Sequence, residues 1–269
     1  MVDQLRLLAV FPHPDDETLG LGGTFAKYSA EGVETYLVCA TRGERGWSDS
    51  TAPDPGLEAV GRIRELELRC AANHLGLKEV SFLDLVDGDV DQADPMEAIT
   101  RIAAHIRRIK PQVVVTFPPD GAYGHPDHIA LSQFTTAATL CAADASFRDG
   151  NGLAPHRVSK FYYRVDSRGL VIASIQLFGG ISMEVDGIQR QDVAWEDWQI
   201  TTRIDVHQYL DSVYQAVHCH QSQLPNYGLL RGLAPGEMGD FFTEGTFYRA
   251  FSFVNGGRTV ETDLFQGLR

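Results

Sequence analysis

The sequence predicts an α/β fold, a Rossmann-like, mostly parallel sheet with helices on both of its faces. Short apolar runs rich in β-branched residues alternate with segments of helical period over about the first 145 residues. This strand–helix rhythm is typical of a parallel sheet whose crossovers are helices. No internal repeat or low-complexity linker interrupts the chain, which favours a single domain spanning residues 1–269.

Four strands and four helices follow one another in this first part. The strands are predicted at residues 5–11, 33–41, 80–84 and 113–117, and the helices at 18–31, 57–75, 95–110 and 128–142. The third helix has the clearest period, because its apolar side chains recur on one face: Met96, Ile99, Ile102, Ala103, Ile106 and Ile109. Asp94 is suited to cap this helix, and Pro95 to occupy its first turn.

The pattern becomes less regular after about residue 145. Residues 158–165, 169–178 and 246–254 are predicted to be strands, and residues 205–221 a helix. We therefore expect a core at residues 1–145. The C-terminal part, residues 146–269, would add strands or form a cap that shapes the substrate pocket.

Composition limits the classes of protein to consider. The net charge of −13 argues against a nucleic-acid surface, because phosphate binding needs clustered Lys and Arg. No secretion signal and no run approaching ~20 apolar residues is present, so we expect a cytoplasmic protein without a membrane span. The four cysteines are far apart and form no C-x-x-C pair, which predicts reduced thiols rather than disulfides. The oligomeric state stays open, and a homo-oligomer is compatible with the sequence.

Two polar clusters follow predicted strands. The first, "PHPDDE" at residues 12–17, comes directly after the first strand, and "YGHPDH" at residues 123–128 follows the fourth. Ligands of open parallel sheets bind beyond the carboxyl ends of the strands, where the strand order reverses. If the strands are ordered 3-2-1-4-5, strands one and four are neighbours and the two clusters face each other.

The two clusters together offer a set of metal ligands and one free acid. His13 and Asp16 are three residues apart and can share one side of a turn, whereas the adjacent Asp15 must point elsewhere. With His128 they would form a His₂Asp set with an open fourth position, the pattern of a catalytic zinc. Asp15 could then take a proton from water activated by the metal. The simpler alternative is that these aspartates, and Asp127, only cap helices.

Other enzyme classes lack their motifs in this chain. The glycines of "GLGG" lie inside the predicted first helix, and no G-x-G-x-x-G is present, which disfavours dinucleotide binding. No Walker motif and no G-x-S-x-G nucleophile elbow is present, so a serine hydrolase is disfavoured as well.

The motifs resemble those of the LmbE-like, PIG-L-type zinc-dependent N-deacetylases. That family includes enzymes acting on N-acetylglucosamine-inositol lipids and on the precursors of mycothiol and bacillithiol. The resemblance covers roughly the first 140 residues and rests mainly on "PHPDDE" and "YGHPDH", with weaker matches at "TRGERG", "RIRELE" and "HQSQ". It implies one zinc ion per chain, held by His13, Asp16 and His128, with iron(II) as an alternative metal.

The resemblance also assigns catalytic roles. It makes Asp15 the general base and Tyr123 the group that polarises the amide carbonyl. His125 would stabilise the tetrahedral intermediate or assist proton transfer, oriented by Asp127. The substrate would be a small N-acetyl sugar.

Three further residues are predicted to bind substrate. Arg42 and Glu44 follow the second strand, where they could bind sugar hydroxyls or a phosphate. His220 could either support the site residues from behind or lie on the substrate side. The alternative for the first two is an ordinary solvated charge cluster. Arg64 and Glu65 are predicted to belong to a salt-bridged helix surface.

The sequence therefore favours removal of an acetyl group from an N-acetylglucosamine-type substrate. An amidase that cleaves a larger acyl group from a related glucosaminide would share the same metal site. A sugar-binding protein that has lost catalysis is a third hypothesis, disfavoured because every proposed ligand and the base are present. The acidic net charge favours a soluble glycoside over a lipid at an anionic membrane.

Overall fold

The first and fourth strands lie side by side at the centre of one sheet. The computed structural model describes residues 4–48, 53–257 and 259–269. Within these residues the main sheet has seven strands in the order β3-β2-β1-β4-β5-β9-β8, and a separate hairpin pairs β6 with β7. The strands are β1 Arg6–Phe11, β2 Glu34–Cys39, β3 Glu79–Phe82, β4 Val113–Thr116, β5 Lys160–Arg164, β6 Ser182–Val185, β7 Ile188–Gln191, β8 Thr202–Asp205 and β9 Glu244–Ser252.

The predicted fold class and the expected strand order 3-2-1-4-5 are confirmed. β1 pairs in parallel with both β2 and β4, and β4 pairs in parallel with β5. The chain therefore crosses from one side of β1 to the other between β3 and β4, and the strand order reverses between β1 and β4. In the C-terminal part, β9 runs antiparallel to both of its neighbours, β5 and β8.

The helices of the first part match their predicted positions closely. The helices are α1 Asp16–Ala30, α2 Leu57–Leu75, α3 Pro95–Ile109, α4 Gly121–Gly124, α5 Pro126–Ala143, α6 Arg168–Phe178, α7 Leu210–Cys219 and α8 Gly239–Phe242. Asp94 caps α3 as predicted, because its side chain accepts the backbone N–H groups of Met96 at 2.8 Å and Glu97 at 3.1 Å. No helix in the described part of the chain is long and apolar enough to cross a bilayer.

The central strand is buried on both faces. Along β1 the side chains of Leu7, Ala9 and Phe11 belong to one core cluster, and those of Leu8 and Val10 to the other. All five are fully buried, as the two-residue period of a strand between two helical layers requires. Helices α1, α2 and α7 cover the first face, and α3 and α5 cover the second.

The prediction of a strand at residues 169–178 is wrong, because this segment forms helix α6. Its sequence, "GLVIASIQLF", is almost entirely apolar, and such a run cannot be told from a buried helix by its period alone. Local signals favour the helix: the Ser167 side chain accepts the N–H of Leu170 at 3.2 Å, and Gly179 ends the helix at a φ of 82°. Strands β6, β7 and β8 were not predicted, since their 4 residues each are too few to establish a period.

The prediction of four reduced thiols is wrong for one pair, because Cys70 and Cys219 form a disulfide. The two residues are 149 positions apart, so the sequence spacing carried no sign of the pairing. They meet because α2 and α7 pack together on the same face of the sheet, which brings their Cα atoms to 5.7 Å. Cys39 and Cys141 are free.

Candidate metal centre and active site

The two clusters rich in histidine and aspartate meet at the carboxyl edge of the sheet. β1 leads directly into the loop that carries His13, and the chain beyond β4 leads into α5, whose first turn carries His128. Because β1 and β4 are parallel neighbours, both connections leave the same edge. The two imidazole centroids are 5.2 Å apart although the residues are 115 positions apart in the chain.

Three ligand atoms converge at this point. Nδ1 of His13 lies 3.3 Å from Nε2 of His128 and 3.5 Å from Oδ2 of Asp16, and Oδ1 of Asp16 lies 3.7 Å from Nε2 of His128. The ligand atoms of these three residues all lie within 4.8 Å of one another. Two imidazoles and a carboxylate at this separation fit a divalent metal with an open coordination position. The fold thus brings together the ligand set expected from the sequence.

The electrostatics of the centre favour a bound cation. Burial lowers the pKa of His13, but hydrogen bonds to Asp127, Asp16 and Asp87 outweigh it and raise the pKa well above its ordinary value. For His128, burial dominates and lowers the pKa well below the ordinary value. A metal cation is stabilised by nearby carboxylates and binds the lone pair of a neutral imidazole. The carboxylates around His13 and the neutral ring of His128 supply these two properties.

Asp127 orients one of the ligands. Its Oδ2 lies 3.1 Å from Nε2 of His13, and Oδ1 of Asp87 lies 3.2 Å from the same nitrogen. An Nε2–H that donates to these carboxylates leaves the lone pair of Nδ1 facing the cluster. The fully buried Asp127 carboxylate also accepts two backbone N–H groups from the loop after β3. His125 is held differently from the expectation, by the Asp127 backbone N–H, which donates to its Nδ1 at 3.1 Å.

The carboxylate of Asp15 is turned away from the helix that it precedes. Its side chain makes no capping hydrogen bond, and its backbone has a φ of 115°. Instead, Oδ2 accepts hydrogen bonds from the Tyr227 hydroxyl at 3.1 Å and from Nη2 of Arg64 at 3.2 Å. Burial raises the pKa of Asp15 to about 6, against the opposing effect of the Arg64 guanidinium. The alternative that Asp15 merely caps a helix is therefore wrong.

Arg64 is a component of the site that the sequence interpretation missed. It was assigned to a salt-bridged helix surface, but it is 5% exposed and its guanidinium reaches from α2 to the loop after β1. Besides Asp15, its guanidinium donates to the carbonyl oxygens of Pro14 at 2.5 Å and Gly43 at 2.9 Å. One side chain therefore ties the loop after β1 to the loop after β2.

The sequence held one signal for the burial of Arg64, and the structure adds a second. It lies four residues after Val60 and four before Leu68, so it belongs to the buried apolar stripe of α2 rather than to its solvated face. A Cβ atom at Gly43 or Gly46 would collide with its guanidinium, and Gly43 also has a φ of 64°. The glycines of "TRGERG" are therefore required by the packing of this arginine.

Tyr123 lies on a turn that the C-terminal part holds in place. The backbone of the preceding residue, Ala122, has a φ of 67°, which is unusual for a residue other than glycine. Three donors from the C-terminal part bind this turn: the N–H of Val193 to the Ala122 oxygen at 2.7 Å, Nη1 of Arg190 to the Gly124 oxygen at 2.7 Å, and Nε1 of Trp195 to Oδ2 of Asp120 at 3.0 Å. The hairpin and the segment after it thus determine where Tyr123 faces.

If Tyr123 polarises the substrate carbonyl, as the sequence resemblance implies, replacing Arg190 by alanine should lower kcat by about 10- to 100-fold with the metal content unchanged, because a small displacement of a catalytic group is costly. Steady-state kinetics and metal analysis on the same preparation would measure both quantities. Gln189→Ala, a change at the exposed neighbouring position of β7, is the matched control. An unchanged kcat in the Arg190 variant would mean that the turn keeps its shape without this contact.

A cavity of about 480 Å³ reaches Asp16 and His128 of the cluster. The first part of the chain lines it with residues that include Asp15, Asp16, Phe117, Tyr123 and His128. The C-terminal part lines it with residues that include Arg164, Asp166, Leu170, Ser174, Asp192 and Tyr227, and the Tyr227 hydroxyl reaches Asp15. The volume is in the range of small-ligand pockets. A ligand that reaches the cluster therefore contacts both parts of the chain.

Arg42 and Glu44 do not line this cavity. Arg42 pairs with Glu65 and Asp84, and its guanidinium lies over an aromatic ring of β3. Oε1 of Glu44 accepts the backbone N–H of Asp87 at 2.9 Å. Both charged side chains bind neighbouring protein groups instead of facing the cavity. These contacts hold the loops after β2 and β3, which differs from the expected role in substrate binding.

His220 likewise lies behind the cavity wall rather than in it. It is fully buried, with Nε2 2.9 Å from Oε1 of Glu17. The other oxygen of Glu17 accepts the backbone N–H of Asp15 at 2.9 Å. Burial lowers the pKa of His220, but the Glu17 carboxylate outweighs it and raises the pKa above the ordinary value. The pair supports the backbone of Asp15 from behind, which matches the supporting role considered for His220 and not the one on the substrate side.

Comparison with known proteins places this site in a family context. The PIG-L family, described as GlcNAc-PI de-N-acetylase, matches residues 8–139, which include both clusters. A 1D-myo-inositol 2-acetamido-2-deoxy-alpha-D-glucopyranoside deacetylase from Thermobispora bispora is 32% identical, over 98% of this chain and 98% of its own length.

Solved structures share the fold at lower identity. N,N'-diacetylchitobiose deacetylase from Pyrococcus horikoshii is 21% identical with a TM-score of 0.66, over 92% of this chain and 84% of that one. GalB, the 4-carboxy-2-hydroxymuconate hydratase of Pseudomonas putida KT2440, is 18% identical with a TM-score of 0.69, over 94% of this chain and 99% of that one. Because these two carry out different reactions, the fold alone does not decide the chemistry. The sequence relationship along nearly the whole chain does decide the family: the protein belongs to the PIG-L family of deacetylases.

Proposed function

We propose that the protein is a metal-dependent hydrolase that removes the N-acetyl group from an N-acetylglucosamine-type glycoside. One observation carries this proposal: Asp15 lines the same cavity as Asp16 and His128, which converge with His13 in one group of possible metal ligands. A general base beside a metal-binding set is the arrangement that metal-assisted amide hydrolysis uses. The Thermobispora bispora relative is named for deacetylation of an N-acetylglucosaminyl inositol, which supports the same reaction here.

We infer that the metal is zinc, one ion per chain, with iron(II) as an alternative that the same donors would accept. His13, Asp16 and His128 would hold the ion, while the Asp127 carboxylate keeps the ring of His13 in its binding orientation. Once bound, the ion would polarise the acetamide carbonyl and lower the pKa of water.

The side chains around the cluster supply the proton transfers. Asp15, fixed by Arg64 and Tyr227, would accept the proton of the attacking water. Tyr123 would donate a hydrogen bond to the acetamide oxygen as negative charge develops; burial raises its pKa well above the ordinary value, so the hydroxyl keeps its proton. Asp15 or His125 would then protonate the sugar nitrogen as the amide C–N bond breaks, which gives acetate and a free amine.

The cavity lining contributed by residues 146–269 favours a neutral, hydroxyl-rich aglycone over a phosphorylated one. Among the described lining residues, Arg164 is the one that carries a guanidinium or ammonium group. This guanidinium is already paired, because its Nη1 donates to Asp166 at 2.6 Å and its Nε donates to the Gly20 oxygen at 3.0 Å. Asp192 adds a further carboxyl group, and burial raises its pKa. A phosphate would meet carboxylates here without a free cation.

Acetate release from N-acetylglucosaminyl glycosides tests the reaction and its substrate together. We expect acetate and free amine to form in equal amounts. A chelator should abolish this reaction, and added zinc should restore it.

A glycoside with a neutral polyol aglycone should be hydrolysed with a kcat/KM about 10-fold or more above that of the glycoside with the phosphorylated polyol, because like charges in an interface are costly. Asp192→Asn should narrow this ratio, whereas Asp186→Asn, on the exposed turn of the same hairpin, should leave it unchanged.

Two results would redirect the proposal. Preference for a longer N-acyl chain over N-acetyl, measured with the same sugar, would assign an amidase that uses the same metal site. Binding of the glycoside to metal-loaded protein without any release of amine would instead indicate a sugar-binding protein that has lost catalysis.

A further inference from the structure

A second group of metal-ligand side chains lies outside the active site, where α2 packs against α7. Cys70 and His74 are one helical turn apart on α2, and Cys219 is the last residue of α7. One ligand atom from each lies within 4.8 Å of the other two. The two sulfurs are joined in the structure as a disulfide. We propose that reduction of this disulfide turns the cluster into a second metal site, for a thiophilic divalent cation such as zinc.

The positions of the three residues suit coordination. Side chains four residues apart on a helix are neighbours on one face, so Cys70 and His74 point to the same side of α2. The Cα atoms of Cys70 and Cys219 are 5.7 Å apart, which leaves room for two sulfurs to separate around an ion without movement of the helices. Two thiolates and one imidazole with an open position form a known zinc ligand set. Cys70 and His74 are both exposed, so water can complete the coordination.

Contacts other than the disulfide also join the two helices, and these would keep the ligands in place after reduction. Ala71 and Leu75 of α2 and Ala216 of α7 belong to one buried core cluster. Directly beyond α7, the backbone N–H and the hydroxyl of Ser222 both donate to the Glu67 carboxylate of α2 at 2.7 Å. Two independent kinds of contact therefore hold the two cysteines near each other in either redox state.

The change of state needs a reductant and releases protons. A dithiol transfers two electrons to the disulfide, so the S–S bond breaks, two protein thiols form and the dithiol becomes its own cyclic disulfide. A divalent ion then binds the two sulfurs and the imidazole, and the two thiol protons pass to solvent. The oxidised cluster has no thiolate to offer, so metal binding and the cross-link exclude each other.

Cobalt(II) binding tests this site separately from the catalytic one. The protein would be treated with a dithiol, freed of it by gel filtration without oxygen, and titrated with cobalt(II). With the cluster of His13, Asp16 and His128 filled with zinc before the reduction, we expect a near-ultraviolet sulfur-to-cobalt charge-transfer band that saturates at one equivalent, and no such band in the protein that was not reduced. The cluster of His13, Asp16 and His128 has no sulfur ligand, so it cannot give this signal.

Matched variants define the ligands. Cys70→Ser should abolish the band, and His74→Ala should weaken cobalt affinity by about tenfold or more, since one of three protein ligands is lost. Cys141→Ser, a change at a free and partly exposed cysteine elsewhere, should leave the band unchanged. A full count of free thiols without a band would overturn the proposal. So would a band that survives His74→Ala at full affinity, or a disulfide that resists the dithiol in the folded protein.

Discussion

Replacing Asp15 by asparagine is expected to lower kcat by about 10²–10⁴-fold while the metal content stays at the wild-type level. Asp15 is not part of the cluster formed by His13, Asp16 and His128, so the ligands are unchanged. An asparagine side chain can still accept the hydrogen bonds of Tyr227 and Arg64, but it cannot accept a proton from water.

The adjacent carboxylate provides the comparison. Asp16→Asn should lose the metal as well as the activity, because Asp16 supplies one of the three ligand atoms. Metal analysis and acetate release on both variants therefore distinguish a base from a ligand one residue apart. Full turnover by the Asp15 variant would remove the general base from this account.

Replacing Arg64 by leucine is expected to give the second large effect, on stability as well as on activity. The guanidinium and the Asp15 carboxylate are 5% and 17% exposed, so removing the cation leaves a poorly solvated carboxylate without its partner. Breaking a buried pair in this way lowers the free energy of unfolding by about 3–5 kcal/mol. The carbonyl oxygens of Pro14 and Gly43 lose their donors at the same time.

Denaturant unfolding and kcat would measure the two effects of the Arg64 change. Arg64→Lys keeps the charge but cannot reach all three oxygens with a planar fork, so it should recover stability only in part. Arg62→Leu is the matched control, because Arg62 is exposed on the same helix and, among the residues that the structure describes, its ion pair is with Glu58, one turn away. It should change the free energy of unfolding by less than about 1 kcal/mol. Equal effects of the Arg62 and Arg64 changes would contradict the buried role of Arg64.

The part of the site that lies next to the parallel strands could be predicted from the sequence. Motifs that directly follow buried strands are placed by the strand order alone, so the meeting of His13 and His128 followed from the neighbours β1 and β4. Asp16 followed from its spacing to His13. The burial of Arg64 could have been predicted, because this residue lies within the apolar stripe of α2. The charge pattern of "RIRELE" suggested a solvated surface instead.

The part contributed by residues 146–269 could not be predicted in the same way. Tyr227, which holds Asp15, lies in an irregular segment with no period and no motif that points to the site. The contact from Arg190 depends on a hairpin of two strands with 4 residues each, too short to show alternation. The disulfide of Cys70 and Cys219 depends on the packing of two helices far apart in the sequence. Such contacts are set by tertiary packing, which local sequence patterns do not encode.

Metal content per chain is the measurement that tests the central claim most directly. Wild type, His128→Ala and the exposed control His207→Ala would be purified side by side without chelator or reductant, so that the disulfide stays closed. We predict close to one zinc or iron per chain in the wild type and the control, and a loss of that metal in His128→Ala, whose ring supplies one of the three converging ligands. Metal retained in His128→Ala, or no tightly bound metal in the wild type after reconstitution, would contradict the metal centre and the hydrolase built on it.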